Sequence, residues 1–130
     1  MSNPSGPGPQ GEVVIRAIEM PADANPNGDV FGGWIMAKMD LGGAVLARAV
    51  ARSRVVTAAV ESMSFVAPVA IGDVVTCYAL PPRIGRTSLK VPIEVWTQHF
   101  ADAAPRKVTE ALFTYVAIDA AGKPHPVHRP

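Results

Sequence analysis

The sequence predicts an α+β domain in which one long helix is wrapped by a curved antiparallel sheet of five strands. The segment from Trp34 to Ala51 is apolar around nearly its whole circumference, which is typical of a helix inside a protein. One stretch with strand character precedes this helix and four follow it, joined by short turns. Strands connected in series by short turns pair antiparallel. At 130 residues, the chain has the size of one domain.

The residues before the helix predict a tail, a strand and a turn. Residues 1–11 are rich in Pro, Gly and Ser, so we expect a flexible tail. The tail contains the pattern Gly6-x-Gly8-x-x-Gly11, but this pattern precedes a strand instead of following one, so we interpret it as a chance match to a dinucleotide fingerprint. The β-branched residues of Glu12–Met20 predict the first strand, and the Asn-Pro and Asn-Gly pairs after it predict a tight turn.

Four further strands are predicted after the helix, at Arg54–Val66, Asp73–Leu80, Thr87–Thr97 and Val108–Ile118. Pro92 lies in the middle of the third of these strands, which predicts a bulge or an unpaired side there. The predicted domain spans residues 12–124, and residues 125–130 are expected to form a C-terminal tail. A twisted sheet of this size can curl around one helix, but its edges stay open. We therefore expect at least a homodimer that pairs these edges.

Asp40 is the exception in the apolar helix. Residues three and four positions away along the helix carry no cation, so nothing on the helix itself pairs with the Asp40 carboxylate. Gly42 and Gly43 follow it and each costs about 1 kcal/mol in a helix interior, which indicates that another backbone or a ligand approaches closely. From these residues alone, Asp40 either belongs to a functional site or is structural, facing solvent or pairing with Arg48 or Lys90.

Composition and charge exclude several classes of function. A net charge of +1, without a basic cluster that includes aromatic residues, argues against nucleic-acid binding. Cys77 is the single cysteine, and the three histidines lie late in the chain without a ligand set, so we expect no disulfide and no metal site. The G-x-S-x-G elbow of serine hydrolases is missing. Charges within the helix argue against a membrane span and the N-terminus does not resemble a signal peptide, so we expect a cytoplasmic protein without membrane contact.

Four segments carry a family resemblance: NPNGDVFGGWIMAKMDLGGA, RVVTAAVESMSF, GDVV and GRTSLKVPIEVW. Together they resemble the bacterial acyl-CoA thioesterases of the hotdog fold, in the branch of broad-range acyl-CoA hydrolases, over about residues 12–119. The resemblance implies that the helix is wrapped by the curved sheet and that two protomers join their sheets, with active sites at the dimer interface. It also implies further assembly into a hexamer, as a trimer of dimers.

The resemblance also implies roles for individual residues. Asp40 corresponds to the catalytic carboxylate, which acts as a general base or as a nucleophile toward the thioester carbonyl. Asn25 resembles the family's catalytic asparagine, which faces the aspartate of the partner protomer. Backbone amides near Gly32 and Gly33 would receive the thioester oxygen.

Three further positions, Arg54, Arg86 and Ser88, resemble residues that contact CoA in the family. The implied substrate is a fatty acyl-CoA, which is hydrolysed to a free carboxylic acid and CoA. No metal or redox cofactor is implied, since CoA is part of the substrate. Two alternatives stay open, a non-catalytic acyl-CoA binding or sensor protein and an aryl-CoA thioesterase. Hotdog dehydratases are disfavoured, since they use a histidine that this sequence lacks near the helix start.

The chemistry of thioester hydrolysis suits these residue types. A helix start offers unpaired N–H groups and a positive dipole end, and glycines there let a substrate oxygen approach the backbone. Asp40, however, follows Gly33 by about 10 Å along the helix axis. That distance is too large for one small reaction centre within a single protomer. A glycine turn brought in by a partner protomer would solve the spacing.

Overall fold

The structure, a computed structural model, describes residues 8–127 of the chain. In chain order the elements are β1 (Glu12–Ile18), a short 3-10 turn (Pro21–Asp23), α1 (Gly32–Ala51), β2 (Arg54–Phe65), β3 (Val74–Ala79), β4 (Arg83–Ile84), β5 (Ser88–Gln98) and β6 (Arg106–Ile118). The predicted helix and the five predicted strands are all present, with ends within two residues of those expected. The sheet has a sixth strand, β4, because two residues are too few to produce a recognisable periodicity.

One antiparallel sheet is formed in the order β1-β3-β5-β6-β2, with β4 paired to the start of β5. The strands that flank the helix in sequence, β1 and β2, therefore lie at the two edges of the sheet. The central strand β5 alternates half-buried and buried residues from Ser88 to Val95, and the buried residues of this run, Leu89, Val91, Ile93 and Val95, belong to the core under the helix. Strand β2, in contrast, is exposed along most of its length and has a free edge.

The helix α1 is buried on one face only within this single chain. Its buried residues follow helical spacing and are Ile35, Met39, Gly42, Gly43, Ala47 and Ala51. The opposite face exposes apolar side chains, with Leu41 at 57% and Val45 at 55% of their maximal accessible area. The expectation of a helix enclosed on all sides is thus wrong for one protomer, because the sheet covers only one side of it. No helix among residues 8–127 is long and apolar enough to span a membrane.

Side chains of the sheet explain the two glycines in the helix. A Cβ atom at Gly42 would lie 2.7 Å from Cγ2 of Val14 on β1. A Cβ atom at Gly43 would lie 2.6 Å from Cδ1 of Ile93 and closer still to the hydroxyl of Tyr115. The expectation that another backbone or a ligand approaches here is therefore wrong. The helix approaches the sheet so closely at this point that only glycine fits.

The two expected tails lie partly outside the described residues, which exclude residues 1–7 and 128–130. At the C-terminal end, the N–H of His125 donates to the carbonyl of Ala117 (3.0 Å) and the N–H of Val127 donates to the carbonyl of Arg86 (2.7 Å). The side chain of Val127 is buried. Residues 125–127, assigned to a tail from the sequence, are thus held against the end of the sheet.

Replacing Gly43 with alanine should destabilise the protein. We expect the free energy of unfolding to fall by about 1–2 kcal/mol, because overpacking a core costs about 1–3 kcal/mol and better helix propensity offsets at most about 1 kcal/mol. The measurement is urea unfolding followed by circular dichroism, at equal protein concentration because association shifts apparent stability.

Gly33→Ala is the matched control. A Cβ atom at Gly33 meets nothing within 4 Å, so this change should leave stability unchanged or raise it by up to about 1 kcal/mol. Equal stability of the Gly43→Ala and wild-type proteins would show that Ile93 and Tyr115 move aside at no cost, and would contradict the close approach.

Candidate active site

Asp40 lies half-buried in the middle of α1, between the helix and the sheet. Its Oδ1 accepts a hydrogen bond from Thr57 Oγ1 on β2 (2.6 Å) and one from the Tyr115 hydroxyl on β6 (3.2 Å). The Tyr115 hydroxyl also donates to the main-chain carbonyl of Asp40 (2.8 Å). Oδ2 accepts no hydrogen bond from residues 8–127. The carboxylate is therefore held by one oxygen and presents the other.

No cation of the described residues forms an ion pair with Asp40. The alternative interpretation, a structural pair with Arg48 or Lys90, is thus not what the structure shows. Both partners of the carboxylate are neutral hydroxyl groups. Such groups orient a carboxylate without cancelling its charge.

Sequence reasoning missed Thr57 and Tyr115. The two residues are paired directly across β2 and β6, so their side chains leave the sheet on the same face, under the helix. The register of β2 shifts just after Thr57, between Thr57 and Ala59. The signal that could have found them is a pair of hydroxyl residues on the helix-facing sides of two predicted strands, but their register could not be read from the sequence.

Tyr115 has a fully buried side chain that stays protonated. Burial raises the pKa of its phenol above the ordinary value, and the neighbouring Asp40 carboxylate raises it further through its charge and hydrogen bond. The hydroxyl is therefore a hydrogen-bond donor throughout the neutral pH range.

Asn25 shapes the turn before the helix. Its side-chain Oδ1 accepts from the N–H groups of Asn27 (2.9 Å) and Asp29 (3.1 Å). The backbone closes the same turn, since the N–H of Asn25 donates to the carbonyl of Asp29 (2.6 Å) and Gly28 donates to the carbonyl of Asn25 (3.0 Å). The Asn25 Nδ2 group donates to no other described residue. The side chain thus fixes the turn with its oxygen and keeps its amide NH₂ available.

The start of α1 has two backbone donors without a partner. Phe31 is the N-cap residue and provides no side-chain cap, and the N–H groups of Trp34 and Ile35 both bind its carbonyl. The N–H groups of Gly32 and Gly33 make no hydrogen bond with residues 8–127. Gly33 is exposed with open space around it, so an anionic oxygen can reach these amides.

The three predicted CoA-contacting residues share one end of the sheet. Arg54 begins β2 opposite Ile118, and Ser88 begins β5 opposite Val116, two residues earlier on the same strand β6. Arg86 lies in the turn just before β5, and both arginines are exposed. Because Arg54 precedes Thr57 by three positions, it lies about 10 Å along β2 from the residue that holds Asp40.

The surface beside Asp40 is apolar. Strand β2 exposes Val60 on the face that carries Thr57, and the outer face of α1 exposes Leu41 and Val45. We call these three residues the apolar strip. Exposed apolar patches of this kind mark sites of contact with another protein.

Two other features lie away from Asp40. A cleft of about 610 Å³ occupies the sheet face opposite the helix and includes none of the predicted site residues; among its lining residues are Arg16, Tyr78, Trp96, His99 and Phe100.

Cys77 is buried, and burial raises the pKa of its thiol to about 12, with the charge of Lys38 opposing the shift. Such a thiol is unreactive. Within the described residues no group of three or more His, Cys, Asp or Glu is arranged to hold a metal ion.

A family model and a curated relative both place this chain among thioesterases. The family model of the thioesterase superfamily matches residues 27–102, more than half of the chain. The acyl-CoA thioester hydrolase YciA of Salmonella typhimurium is 55% identical over 122 residues, which cover 92% of this chain and 92% of that protein.

Two solved structures are similar along nearly their whole length. HI0827, a hexameric broad-specificity acyl-coenzyme A thioesterase, is 45% identical with a TM-score of 0.90, covering 99% of this chain and 89% of that chain. Cj0915 of Campylobacter jejuni, a hexameric hotdog-fold thioesterase, is 40% identical with a TM-score of 0.84, covering 91% of each chain. The expected fold and enzyme class are confirmed: this chain belongs to the thioesterase superfamily and has the hotdog fold.

Proposed function

We propose that this protein hydrolyses fatty acyl-CoA to a free carboxylic acid and CoA, at a site that two copies of the chain complete together. The observation that carries the proposal is the Asp40 carboxylate, held through Oδ1 by two neutral hydroxyls, with Oδ2 bonded to none of residues 8–127. Its relatives YciA and HI0827 are acyl-CoA thioesterases, which supports the substrate class. We also propose a cytoplasmic location, as the sequence predicts.

Asp40 acts on the thioester carbonyl carbon. Its free oxygen, Oδ2, either accepts a proton from an attacking water or attacks the carbon itself to form an anhydride that water then hydrolyses. In both routes the C–S bond breaks, the sulfur of CoA takes a proton, and a carboxylic acid is released. The structure supports both routes equally, since both need one unbonded carboxylate oxygen.

The negative charge that develops on the carbonyl oxygen requires donors that the Asp40 side of one protomer does not offer. Gly33 is about 10 Å from Asp40 along the helix axis. We therefore assign the oxyanion contacts to the amides of the partner's Gly32 and the partner's Gly33. One donor of this kind contributes about 10²–10³ in rate. Asn25 of the partner subunit lies in the same turn, and its free amide NH₂ would donate to the water or the carbonyl.

The free edge of β2 and the apolar strip support the homodimer. Both lie next to the Asp40–Thr57 contact, so a second copy docked there would bring its helix start to the carboxylate and cover the exposed valines. HI0827 and Cj0915 are hexameric, and we propose the same assembly, a trimer of dimers, for this chain.

Arg54, Arg86 and Ser88 would bind the phosphates of CoA. Exposed guanidinium groups suit phosphate oxygens because their N–H donors match them in a bidentate fashion. Arg54 lies about 10 Å from Thr57 along β2, which leaves the thioester arm of CoA room to reach toward Asp40. No metal or redox cofactor is part of the proposal.

Asp40→Asn should abolish most of the activity and leave the fold intact. We expect kcat to fall by about 10²–10⁴, the usual contribution of a general base, with little change in KM. Release of the CoA thiol from a panel of fatty and aryl acyl-CoAs is the measurement. The buried Cys77 will contribute little to the thiol signal.

Asp102→Asn is the control for loss of one negative charge. Asp102 lies in the loop after β5 and accepts from the N–H of His99, a role that asparagine can keep. The Asp102→Asn variant should retain the kcat of the wild-type protein. Activity retained in Asp40→Asn would remove the proposed function, and absence of turnover in the wild-type protein with every acyl-CoA would favour a binding or sensor protein instead.

Mixing two inactive variants tests the shared site. Asn25→Asp keeps the oxygen that shapes the turn and loses the amide donor, so it should be inactive for a local reason. Heterodimers of Asn25→Asp and Asp40→Asn subunits contain one intact site of two, and random mixing should restore about a quarter of wild-type activity. The same subunit exchange carried out on either variant alone should restore no activity. A mixture without regained activity would place both groups in the same protomer and contradict the dimeric site.

Arg54→Gln combined with Arg86→Gln should raise KM and leave kcat unchanged. We expect about thirtyfold higher KM for acyl-CoA, since two exposed charge-assisted contacts are lost and each is worth on the order of 1 kcal/mol. With an acyl-pantetheine substrate, which lacks the nucleotide, the variant should equal the wild type. Arg106→Gln removes an exposed arginine from the start of β6 and is the matched control. Equal loss on both substrates would show that these arginines do not contact the nucleotide.

A further inference from the structure

We propose that Tyr115 is a positioning residue for Asp40, and that its buried hydroxyl holds the carboxylate so that only Oδ2 faces the substrate. The proposal rests on the function proposed above, since it assigns a role toward the same carboxylate. Tyr115 contacts no substrate in this assignment and acts only through Asp40.

The hydroxyl bridges two acceptors of the same residue. It lies 2.8 Å from the main-chain oxygen of Asp40 and 3.2 Å from its Oδ1. A hydroxyl has one proton to donate, so the two acceptors share it. This bridge ties the side chain of Asp40 to its own backbone, which restricts rotation about the side-chain torsions. Thr57, at 2.6 Å from Oδ1, supplies the second tether from another strand.

The packing around Tyr115 indicates that the hydroxyl has a purpose beyond filling space. Phenylalanine would fill the ring's place in the core, as Phe113 does two residues earlier on the same face, with ring centroids 6.2 Å apart. The hydroxyl occupies the space that the missing Cβ of Gly43 leaves. A glycine there costs about 1 kcal/mol in helix propensity. Gly43 thus makes room for the phenol oxygen beside Asp40 as well as for Ile93, and the helix gives up stability there.

The protonation state agrees with a donor role. Burial, and then the Asp40 carboxylate, raise the pKa of the phenol above its ordinary value. Tyr115 therefore keeps its proton near neutral pH and is a weaker acid than an ordinary phenol. Both properties suit a donor that orients a carboxylate better than an acid that protonates the leaving sulfur.

The consequence is a carboxylate with two unlike oxygens. Oδ1 accepts from Thr57 and Tyr115, whereas Oδ2 accepts from no residue in the described part of the chain. Without the Tyr115 hydroxyl, one tether remains and the carboxylate spends less time in the reactive orientation. A displacement of about 1 Å at a reacting group can cost about 10²-fold in rate, so loss of one of two tethers should cost about tenfold.

Tyr115→Phe tests the proposal, with Tyr78→Phe as the matched control. Tyr78 is the other tyrosine of the chain; it lies on β3 in the cleft on the opposite sheet face, and its hydroxyl bonds to no other described residue. We expect Tyr115→Phe to lower kcat about tenfold with KM changed less than about twofold. Tyr78→Phe should keep both constants. Unchanged kcat in folded Tyr115→Phe protein would overturn the proposal, and so would an equal loss in the control.

The Asp40→Asn background separates this proposal from the proposed function. If Tyr115 acts through Asp40, adding Tyr115→Phe to Asp40→Asn should cause no further loss of kcat, whereas independent action would multiply the two losses and overturn the proposal. Activity retained in Asp40→Asn alone would instead overturn the proposed function.

A donor at position 115 should rescue the activity. p-Aminophenylalanine in place of Tyr115 has a ring of similar size and replaces the O–H donor with an N–H donor. This variant also keeps the test possible if the Tyr115→Phe protein does not assemble. We expect kcat above that of Tyr115→Phe, or, without that variant, within about threefold of the wild type. A value no higher than that of Tyr115→Phe, or a larger loss, would overturn the positioning role.

Discussion

The contact between one helix carboxylate and two strands is the constraint on which the rest of the structure depends. Asp40 is joined to β2 through Thr57 and to β6 through Tyr115. Both bonds reach the same oxygen because the two strands are neighbours and these residues are paired across them. A half-buried charge without a cation costs free energy, and the contact also needs a glycine in the helix. A site that requires a charge at this place explains why the fold accepts these costs.

The same constraint explains why the protomer looks incomplete. Asp40 lies between α1 and an edge strand, so the sheet leaves one approach to the carboxylate open. That approach is bordered by the apolar strip, which would be unfavourable in a protein that stayed monomeric. The donors suited to an oxyanion lie about 10 Å away at the helix start. In the proposed dimer, a second copy would cover the apolar strip and bring its donors to the carboxylate, so one event would serve both stability and chemistry.

Local features of the sequence were enough to predict most of the fold. Strand and helix ends were found within two residues because each element carries its own periodicity. Pro92 was expected at a bulge or at an unpaired side, and the second is found: it pairs in register with Leu112 of β6, and on its other side it lies between the last pair of β3 and the first pair of β4. Asp40 was recognisable as a charge in an apolar helix. Thr57 and Tyr115 were not, since they lie 17 and 75 residues away and depend on strand register.

The choice of neutral partners for Asp40 has a chemical reason. An arginine beside a carboxylate binds in a bidentate fashion and would engage both oxygens. Two hydroxyls converge on Oδ1 and leave Oδ2 unbonded. The oxyanion contacts proposed for the reaction are also neutral, since they are backbone amides at a helix start. Because a carboxylate and a developing oxyanion repel each other, each needs its own donors on opposite sides of the carbonyl. Supplying one set from each protomer meets that requirement, which a single short helix turn could not.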